Sequence, residues 1–210
     1  DKEQLIEFLR ETKKEKIKTT ILGAGSNTLF RDKGVKGVVI KLGKFFSFTK
    51  IVDKDILEVG AATLDRKVAN FAKDNNLKNL EFLSCIPGSI GGAIVMNSGC
   101  YENDISKVLL SVRAINIKEI SEIEIKRDDI KFLYRGTNLP DDIIIISAKF
   151  KCSVGKKEEI EKKQLNFIER KKLSQPSQIK TCGSTFKNPK DKKAWKLIKS
   201  SDCNMISFGG

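Results

Sequence analysis

Two glycine-rich segments constrain the fold of this chain more than any other feature. Residues 23–27 read Gly-Ala-Gly-Ser-Asn directly after an apolar run, and residues 87–93 read Pro-Gly-Ser-Ile-Gly-Gly-Ala directly before one. We name them the first and the second glycine loop. Each alone could be a tight turn, but glycines also let backbone N–H groups approach an anion, and a helix N-terminus binds phosphate. Together they predict a cradle for a cofactor with two phosphates.

The first glycine loop is not the fingerprint of a doubly wound dinucleotide-binding domain. Thr28 stands where that fingerprint has its third glycine. The predicted strands also greatly outnumber those that repeated βαβ units would give, and helices intervene only occasionally, which favours an α+β fold with mixed sheets.

Hydrophobic periodicity gives the order of the elements. A helix is predicted from the spacing of Leu64, Val68 and Phe71, with Thr63 and Asp65 as its N-terminal cap. The continuous isoleucines at 143–146 predict a strand that is buried on both faces. The other predicted helices are 5–13, 156–172 and 192–200, and the predicted strands are 19–22, 35–42, 45–52, 56–59, 108–117, 120–126 and 142–151.

Composition excludes several classes of site. The sequence contains no histidine, which rules out Ser-His-Asp and Cys-His catalysis, histidine-ligated metals and a flavin linked through histidine. Its five cysteines form no CxxC pair, so we expect neither a disulfide framework nor a metal site, and a reducing cytosol is the natural compartment. We interpret Cys85 and Cys182, which lie beside key loops, as small packing residues.

The net charge of +13 raises a rival hypothesis, a basic nucleic-acid-binding module. The lysines are spread along the whole chain without a dense tract, which is a weak footprint for nucleic acid. No apolar run approaches the roughly 20 residues that cross a bilayer. We therefore expect a cytoplasmic protein with no nucleic-acid, membrane or obligate protein partner.

Two further motifs carry chemistry. Residues 182–189 read Cys-Gly-Ser-Thr-Phe-Lys-Asn-Pro and place a hydroxyl, a cation and an amide in one loop. Such a set suits the binding of an anionic, phosphorylated substrate and the delivery of one proton to it. Residues 132–137 read Phe-Leu-Tyr-Arg-Gly-Thr, which alone would be a strand end with one solvated arginine.

From about Thr20 to Gly210, the order of these motifs and their amino-acid sequences resemble those of the UDP-N-acetylenolpyruvoylglucosamine reductases. The resemblance implies a p-cresol methylhydroxylase-like FAD-binding fold of α+β class. It divides the chain into a first FAD-binding subdomain (1–43, incomplete), a second (44–173) and the first part of a substrate-binding domain (174–210). The family's extra tyrosine-bearing loop is not visible, which is typical of its shorter, second type.

The resemblance also implies an activity. FAD, bound non-covalently, would be reduced by NADPH and would pass hydride from flavin N5 to C3 of UDP-N-acetylglucosamine enolpyruvate. A positioned arginine, here Arg135, would stabilise charge beside the substrate carboxylate, and Ser184 would protonate C2. Thr137 departs from the family's usual serine but keeps its hydroxyl.

The remaining site residues are carried over motif by motif. If the match to the family were shifted by one residue, Lys171 would take the substrate-binding place that is given to Lys172 in the next sentence. For the substrate, the resemblance implies Tyr134, Lys172 and Asn188. For the cofactor, it implies Gly23, Gly25, Ser26, Asn27, Pro87, Gly88, Ser89, Gly91, Gly92 and Asn97.

One family feature has no counterpart in this sequence. The family uses a second acid, a glutamate near its C-terminus, but after Glu169 the only carboxylates are Asp191 and Asp202. We therefore expect that a polypeptide of this sequence alone binds FAD without turning over. Another FAD-linked oxidase of the same superfamily remains the alternative, although it does not explain the motif at 182–189.

Overall fold

A computed structural model describes residues 1–175 and 184–201. The chain divides into two compact units, Asp1–Gln175 and Pro176–Gly210, while the subdomain boundaries predicted at 43/44 and 173/174 stay predictions. None of the helices in the described residues is long and apolar enough to span a bilayer.

The helices are α1 Lys2–Lys14, α2 Asp65–Asp74, α3 Ile90–Val95, α4 Lys157–Ser174 and α5 Ala194–Ser200. The strands are β1 Thr19–Ile21, β2 Val38–Ile40, β3 Thr49–Asp53, β4 Ile56–Gly60, β5 Leu77–Lys78, β6 Gly99–Cys100, β7 Asn103–Asp104, β8 Leu109–Asn116, β9 Ser121–Lys126, β10 Phe132–Leu133, β11 Gly136–Thr137, β12 Ile143–Lys151 and β13 Ser153–Val154.

An antiparallel sheet in the order β3-β4-β12-β8-β9 forms the centre of the first unit. Strands β1 and β2 form a separate parallel pair. The α+β prediction is confirmed. The expectation of mixed sheets is wrong in detail, because the parallel and antiparallel pairings of the described strands lie in different sheets.

Strand β12 is buried on both faces, as its isoleucine run predicts. Ile143 and Ile145 belong to the larger apolar cluster, which includes residues of α2, α3 and α4. Ile144 and Ile146 belong to the smaller cluster, which includes buried leucines of α1. Successive side chains of a strand point to opposite faces, so β12 joins two layers of core.

The strand predicted at 45–52 is partly wrong. Its first residues form a 3-10 turn, Lys44–Phe46, and the strand begins at Thr49. The turn buries Phe46, and the Phe46 carbonyl accepts a hydrogen bond of 2.9 Å from the Ala62 N–H. A tertiary hydrogen bond has therefore overridden local β-propensity.

We expect Leu9→Ala to lower the free energy of unfolding by about 2–4 kcal/mol, because Leu9 is fully buried between α1 and the sheet. Leu165→Ala on α4 is the matched control, since Leu165 is 54% exposed and its truncation leaves little cavity. Urea denaturation of both variants measures the difference. Equal losses would show that α1 does not pack as described.

Candidate cofactor and active site

The two glycine loops lie in contact with each other. The hydroxyl of Ser26 donates a hydrogen bond of 2.6 Å to the carbonyl of Pro87. A Cβ at Gly23 would come within 3.0 Å of the Ser89 hydroxyl, so a side chain here would crowd the second loop. Gly25 has φ of +83°, a conformation that glycine adopts without strain. A serine hydroxyl has only one proton to donate. In Ser26 that proton is donated to the Pro87 carbonyl, so it is not available to a ligand.

The second glycine loop is held from behind by the segment that follows β4. The N–H of Ile90 donates to the carbonyl of Thr63 at 3.0 Å, and the N–H of Gly91 donates to the carbonyl of Ala61 at 2.9 Å. The sequence predicted that the N-terminus of α3 offers its N–H groups to phosphate. That prediction is wrong for these two groups, because protein carbonyls already accept from them.

The glycines of the loops fall into two sets. A Cβ at Gly88 would come within 2.7 Å of Asp65 Oδ2, and one at Gly91 would come within 3.2 Å of the alanine that follows β4. A side chain at either of these two glycines would crowd an internal neighbour. A Cβ at Gly25 or Gly92 would meet nothing within 4 Å. Of the glycines in these two loops, Gly25 and Gly92 therefore leave room beside the backbone that a ligand could occupy.

The predicted cap of α2 is replaced by a different arrangement. The residue preceding the helix is Leu64, which makes no capping hydrogen bond, and the hydroxyl of Thr63 donates instead to the carbonyl of Phe48 at 2.9 Å. Asp65 is the first helical residue and is fully buried. Neither of its carboxylate oxygens has a hydrogen-bond partner among the described residues, and burial raises the pKa of Asp65 to about 7. Sequence reasoning missed this feature because a carboxylate in a first helical turn normally signals a cap.

Asn97 connects the end of α3 to its surroundings. It follows the helix with φ of 44°, and the N–H groups of Asn97 and Ser98 close the last turn. Its side-chain oxygen accepts from the Ser106 N–H at 3.1 Å, and its side-chain nitrogen lies 3.5 Å from the Leu133 carbonyl. Asn97 therefore fixes the position of the β10–β11 hairpin next to α3.

Arg135 lies at the tip of the β10–β11 hairpin. Tyr134 and Arg135 form its two-residue turn, and the Arg135 guanidinium lies 5.6 Å from the centre of the Tyr134 ring. Arg135 has φ of 58°, which is uncommon for a residue other than glycine. The Thr137 hydroxyl donates to the Val95 carbonyl at 3.4 Å. The structure thus brings the Tyr-Arg motif to the helix that the second glycine loop opens.

A pair of thiols lies at the base of the second glycine loop. The Sγ atoms of Cys85 and Cys100 are 3.1 Å apart, a contact that the interpretation of Cys85 as a packing residue missed. The hydrogen bond from Cys100 and, secondarily, the charge of Lys171 lower the pKa of Cys85 to about 7. The Lys171 ammonium also donates to the Cys85 carbonyl, whereas Lys172 is exposed. In the sequence, Cys85 precedes the second glycine loop and Cys100 follows it, and this pattern could have predicted the contact between the two thiols.

The second unit is described by itself. Ser184 is exposed, and the side-chain oxygen of Asn188 accepts from the Ala194 N–H at 3.0 Å, at the start of α5. Asn188 thus caps the start of α5, and the substrate role that the family resemblance implies for it stays a prediction. Cys182 and its neighbour Gly183 lie outside the described residues.

We expect Gly92→Ala to leave the apoprotein stable but to weaken FAD binding by about tenfold or more, because its Cβ would enter the open cradle. Gly91→Ala is the matched control, and crowding against Ala61 should cost it about 1–3 kcal/mol of stability. Thermal unfolding of the apoproteins and flavin fluorescence titrations measure both effects. Wild-type FAD affinity in Gly92→Ala would show that the cradle lies elsewhere.

We also expect the alkylation rate of Cys85 to rise with pH through a midpoint near 7, because the hydrogen bond from Cys100 favours the thiolate. Cys100→Ala should move the midpoint upward by removing that donor. Cys100→Ser retains a hydroxyl donor and should keep the midpoint low. Iodoacetamide labelling followed by mass spectrometry measures the three profiles, and three identical midpoints would contradict the role of Cys100.

Comparison with known proteins gives a family for this arrangement. A family model described as "FAD binding domain" matches residues 1–119. The UDP-N-acetylenolpyruvoylglucosamine reductase of Pelagibacter ubique is 48% identical over 208 residues, which cover 98% of this chain and 68% of that protein.

Solved structures agree with the sequence match. The crystal structure of UDP-N-acetylenolpyruvylglucosamine reductase from Thermus caldophilus superposes with a TM-score of 0.82 at 29% identity, covering 96% of this chain and 70% of that one. A 6-hydroxy-D-nicotine oxidase from Arthrobacter nicotinovorans superposes with a TM-score of 0.53 at 11% identity, covering 71% of this chain and 34% of that one. The second likeness extends to the fold alone.

Proposed function

The chain belongs to the UDP-N-acetylenolpyruvoylglucosamine reductases, and we propose how its own residues serve the reaction of that family. It is an FAD-dependent oxidoreductase of peptidoglycan precursor synthesis. It uses NADPH to reduce UDP-N-acetylglucosamine enolpyruvate to UDP-N-acetylmuramate. FAD supplies the redox chemistry when bound, by carrying two electrons from NADPH to the enol ether.

The contact between the two glycine loops carries the assignment of the cofactor site. We assign the FAD diphosphate to the backbone around Gly25 and Gly92, which is open where a Cβ would lie. Ser26 and Gly23 hold the first loop against the second, and Gly88 and Gly91 seat the second loop on the segment after β4. FAD is non-covalent in this proposal.

Arg135 is assigned to the carboxylate side of the substrate. Its guanidinium is permanently charged and can hold a carboxylate or a developing enolate in a planar fork. Support comes from its place at the tip of a hairpin that Asn97 and Thr137 bind to the α3 region.

Ser184 is assigned to protonation of C2. A hydroxyl is a weak acid in water, so this role requires a site from which water is excluded and cationic neighbours that stabilise the alkoxide. Lys172, Asn188 and Tyr134 are assigned to substrate binding. Of the two lysines that a misalignment would exchange, Lys171 is held by Cys85, which leaves Lys172 as the better candidate.

We propose a cytoplasmic location and no nucleic-acid, membrane or obligate protein partner. The odd number of cysteines and the lack of a CxxC pair support a reducing compartment. The positive charge of the chain would then attract the diphosphates of FAD and substrate. NADPH oxidation by the full-length protein that depends on UDP-N-acetylglucosamine enolpyruvate tests the function. Flavin reduction without that dependence would favour another flavin-linked oxidoreductase.

Ser184→Ala should leave flavin reduction by NADPH intact and slow oxidation by the enolpyruvyl substrate by roughly 10²-fold or more, because only the second half-reaction needs the proton. Ser200→Ala, at the exposed end of α5, is the matched control. Stopped-flow absorbance of the flavin separates the half-reactions. Equal slowing of both would place Ser184 in flavin binding.

Arg135→Ala should also slow the second half-reaction, and Arg135→Lys should restore little of it, because an ammonium lacks the planar fork of a guanidinium. The same stopped-flow assay, run with both variants, measures the effect. Full activity of the lysine variant would mean that charge alone suffices at this position.

A further inference from the structure

Two thiols that the proposed reaction does not use lie in contact beside the second glycine loop. The Sγ atoms of Cys85 and Cys100 are 3.1 Å apart, and they lie 3.3 Å and 3.5 Å from the carbonyl oxygen of Phe82. A disulfide has an S–S distance of about 2.0 Å, so the two sulfur atoms need to approach by only roughly 1 Å to bond. Both cysteines are partly exposed, which gives a small oxidant access to them.

Helix α4 holds the two cysteine segments in place. The Lys171 ammonium donates a hydrogen bond to the Cys85 carbonyl. The ring of Tyr101, the residue after the second cysteine, stacks on the Phe167 ring with the ring centres 5.1 Å apart, and the Arg170 guanidinium lies 4.2 Å from the centre of the Tyr101 ring. The contact between the thiols is therefore fixed by tertiary packing on both sides.

The surroundings of the pair give its two thiols different reactivity. The hydrogen bond from Cys100 and, secondarily, the charge of Lys171 lower the pKa of Cys85 to about 7, whereas the hydrogen bond to Cys85 raises the pKa of Cys100. Because the thiolate is the nucleophile, Cys85 reacts first with an oxidant. Cys152 is an internal reference, since it is buried and burial raises its pKa to about 12.

We infer that Cys85 and Cys100 form a redox-active dithiol that hydrogen peroxide oxidises to an intramolecular disulfide. The Cys85 thiolate attacks one peroxide oxygen, the O–O bond breaks, and the other oxygen leaves as hydroxide, which takes up the proton that Cys85 had lost. The Cys100 sulfur then attacks the Cys85 sulfur. The S–S bond forms, the S–O bond breaks, and the hydroxyl leaves as water with the Cys100 proton. The thiols lose two electrons in all, and the peroxide gains them.

The disulfide closes a ring of chain that runs from Cys85 to Cys100. This ring contains the whole second glycine loop and α3, so the oxidation modifies the candidate cofactor site. Thiol–disulfide exchange with a small dithiol reverses it. Transient disulfides of this kind in cytosolic proteins are usually catalytic or sense oxidants. The inference goes beyond the proposed function and does not require FAD.

The test is a peptide map of the full-length protein after exposure to hydrogen peroxide. Trypsin leaves both cysteines in one peptide, 79–107, because no lysine or arginine lies between Lys78 and Lys107. Iodoacetamide in denaturant should add two groups to the reduced peptide and none to the oxidised peptide, whose mass should show the loss of two hydrogen atoms. Dithiothreitol should restore both alkylation sites. Alkylation of Cys152 in denaturant should be unaffected by the peroxide.

Two variants and an unfolded control assign the steps. Cys100→Ser should stop at the sulfenic acid of Cys85 and raise its dimedone adduct about tenfold or more over the wild-type protein. Cys85→Ser should give neither the disulfide nor the adduct in this peptide. The wild-type protein unfolded in urea should form the disulfide about tenfold or more slowly, because its thiols are no longer held in contact.

Three results would overturn the inference: two alkyl groups retained on peptide 79–107 after long exposure to excess peroxide, a disulfide from Cys85 to any other cysteine, or an equal rate of disulfide formation in urea. If either variant does not fold, the wild-type map and the urea comparison decide the question. The assay of NADPH oxidation is independent of these measurements, so the inference and the proposed function fail separately.

Discussion

The hydrogen bond from the Ser26 hydroxyl to the Pro87 carbonyl joins the two halves of the candidate cofactor site. Without it, the first loop would be a turn after the short strand β1 and the second a turn before the short helix α3. The absence of a side chain at Gly23 lets the same two loops touch at Ser89. Their shared surface, with open backbone at Gly25 and Gly92, is where we propose that the fold holds the FAD diphosphate.

The second loop takes its shape from the segment after β4. Two N–H groups at the start of α3 are bound to carbonyls of that segment, which fixes the loop before any ligand arrives. A site formed in advance loses less free energy on binding, because its backbone need not become ordered. The same segment leads into Asp65, so the support of the loop and its buried acid come from one short stretch of chain.

Much of this organisation could be predicted from the sequence. The isoleucines of β12 predicted a strand buried on both faces, and the two glycine loops were visible as motifs. Their contact could not be derived from spacing, because it depends on how distant strands pair. The same holds for Asp65. Its sequence position predicts a helix cap, but in the folded protein its carboxylate is buried without a hydrogen-bond partner among the described residues. The roles of Arg135 and Ser184 came only from the family resemblance.

Hydrogen–deuterium exchange of the full-length protein with and without FAD tests the central claim most directly. The account predicts that FAD slows exchange at the amides of residues 25–27 and at Gly92, while the amides of the buried strand β8 stay unchanged. Unchanged exchange in both glycine loops at saturating FAD, with protection appearing elsewhere, would contradict the assignment of the cofactor to these loops.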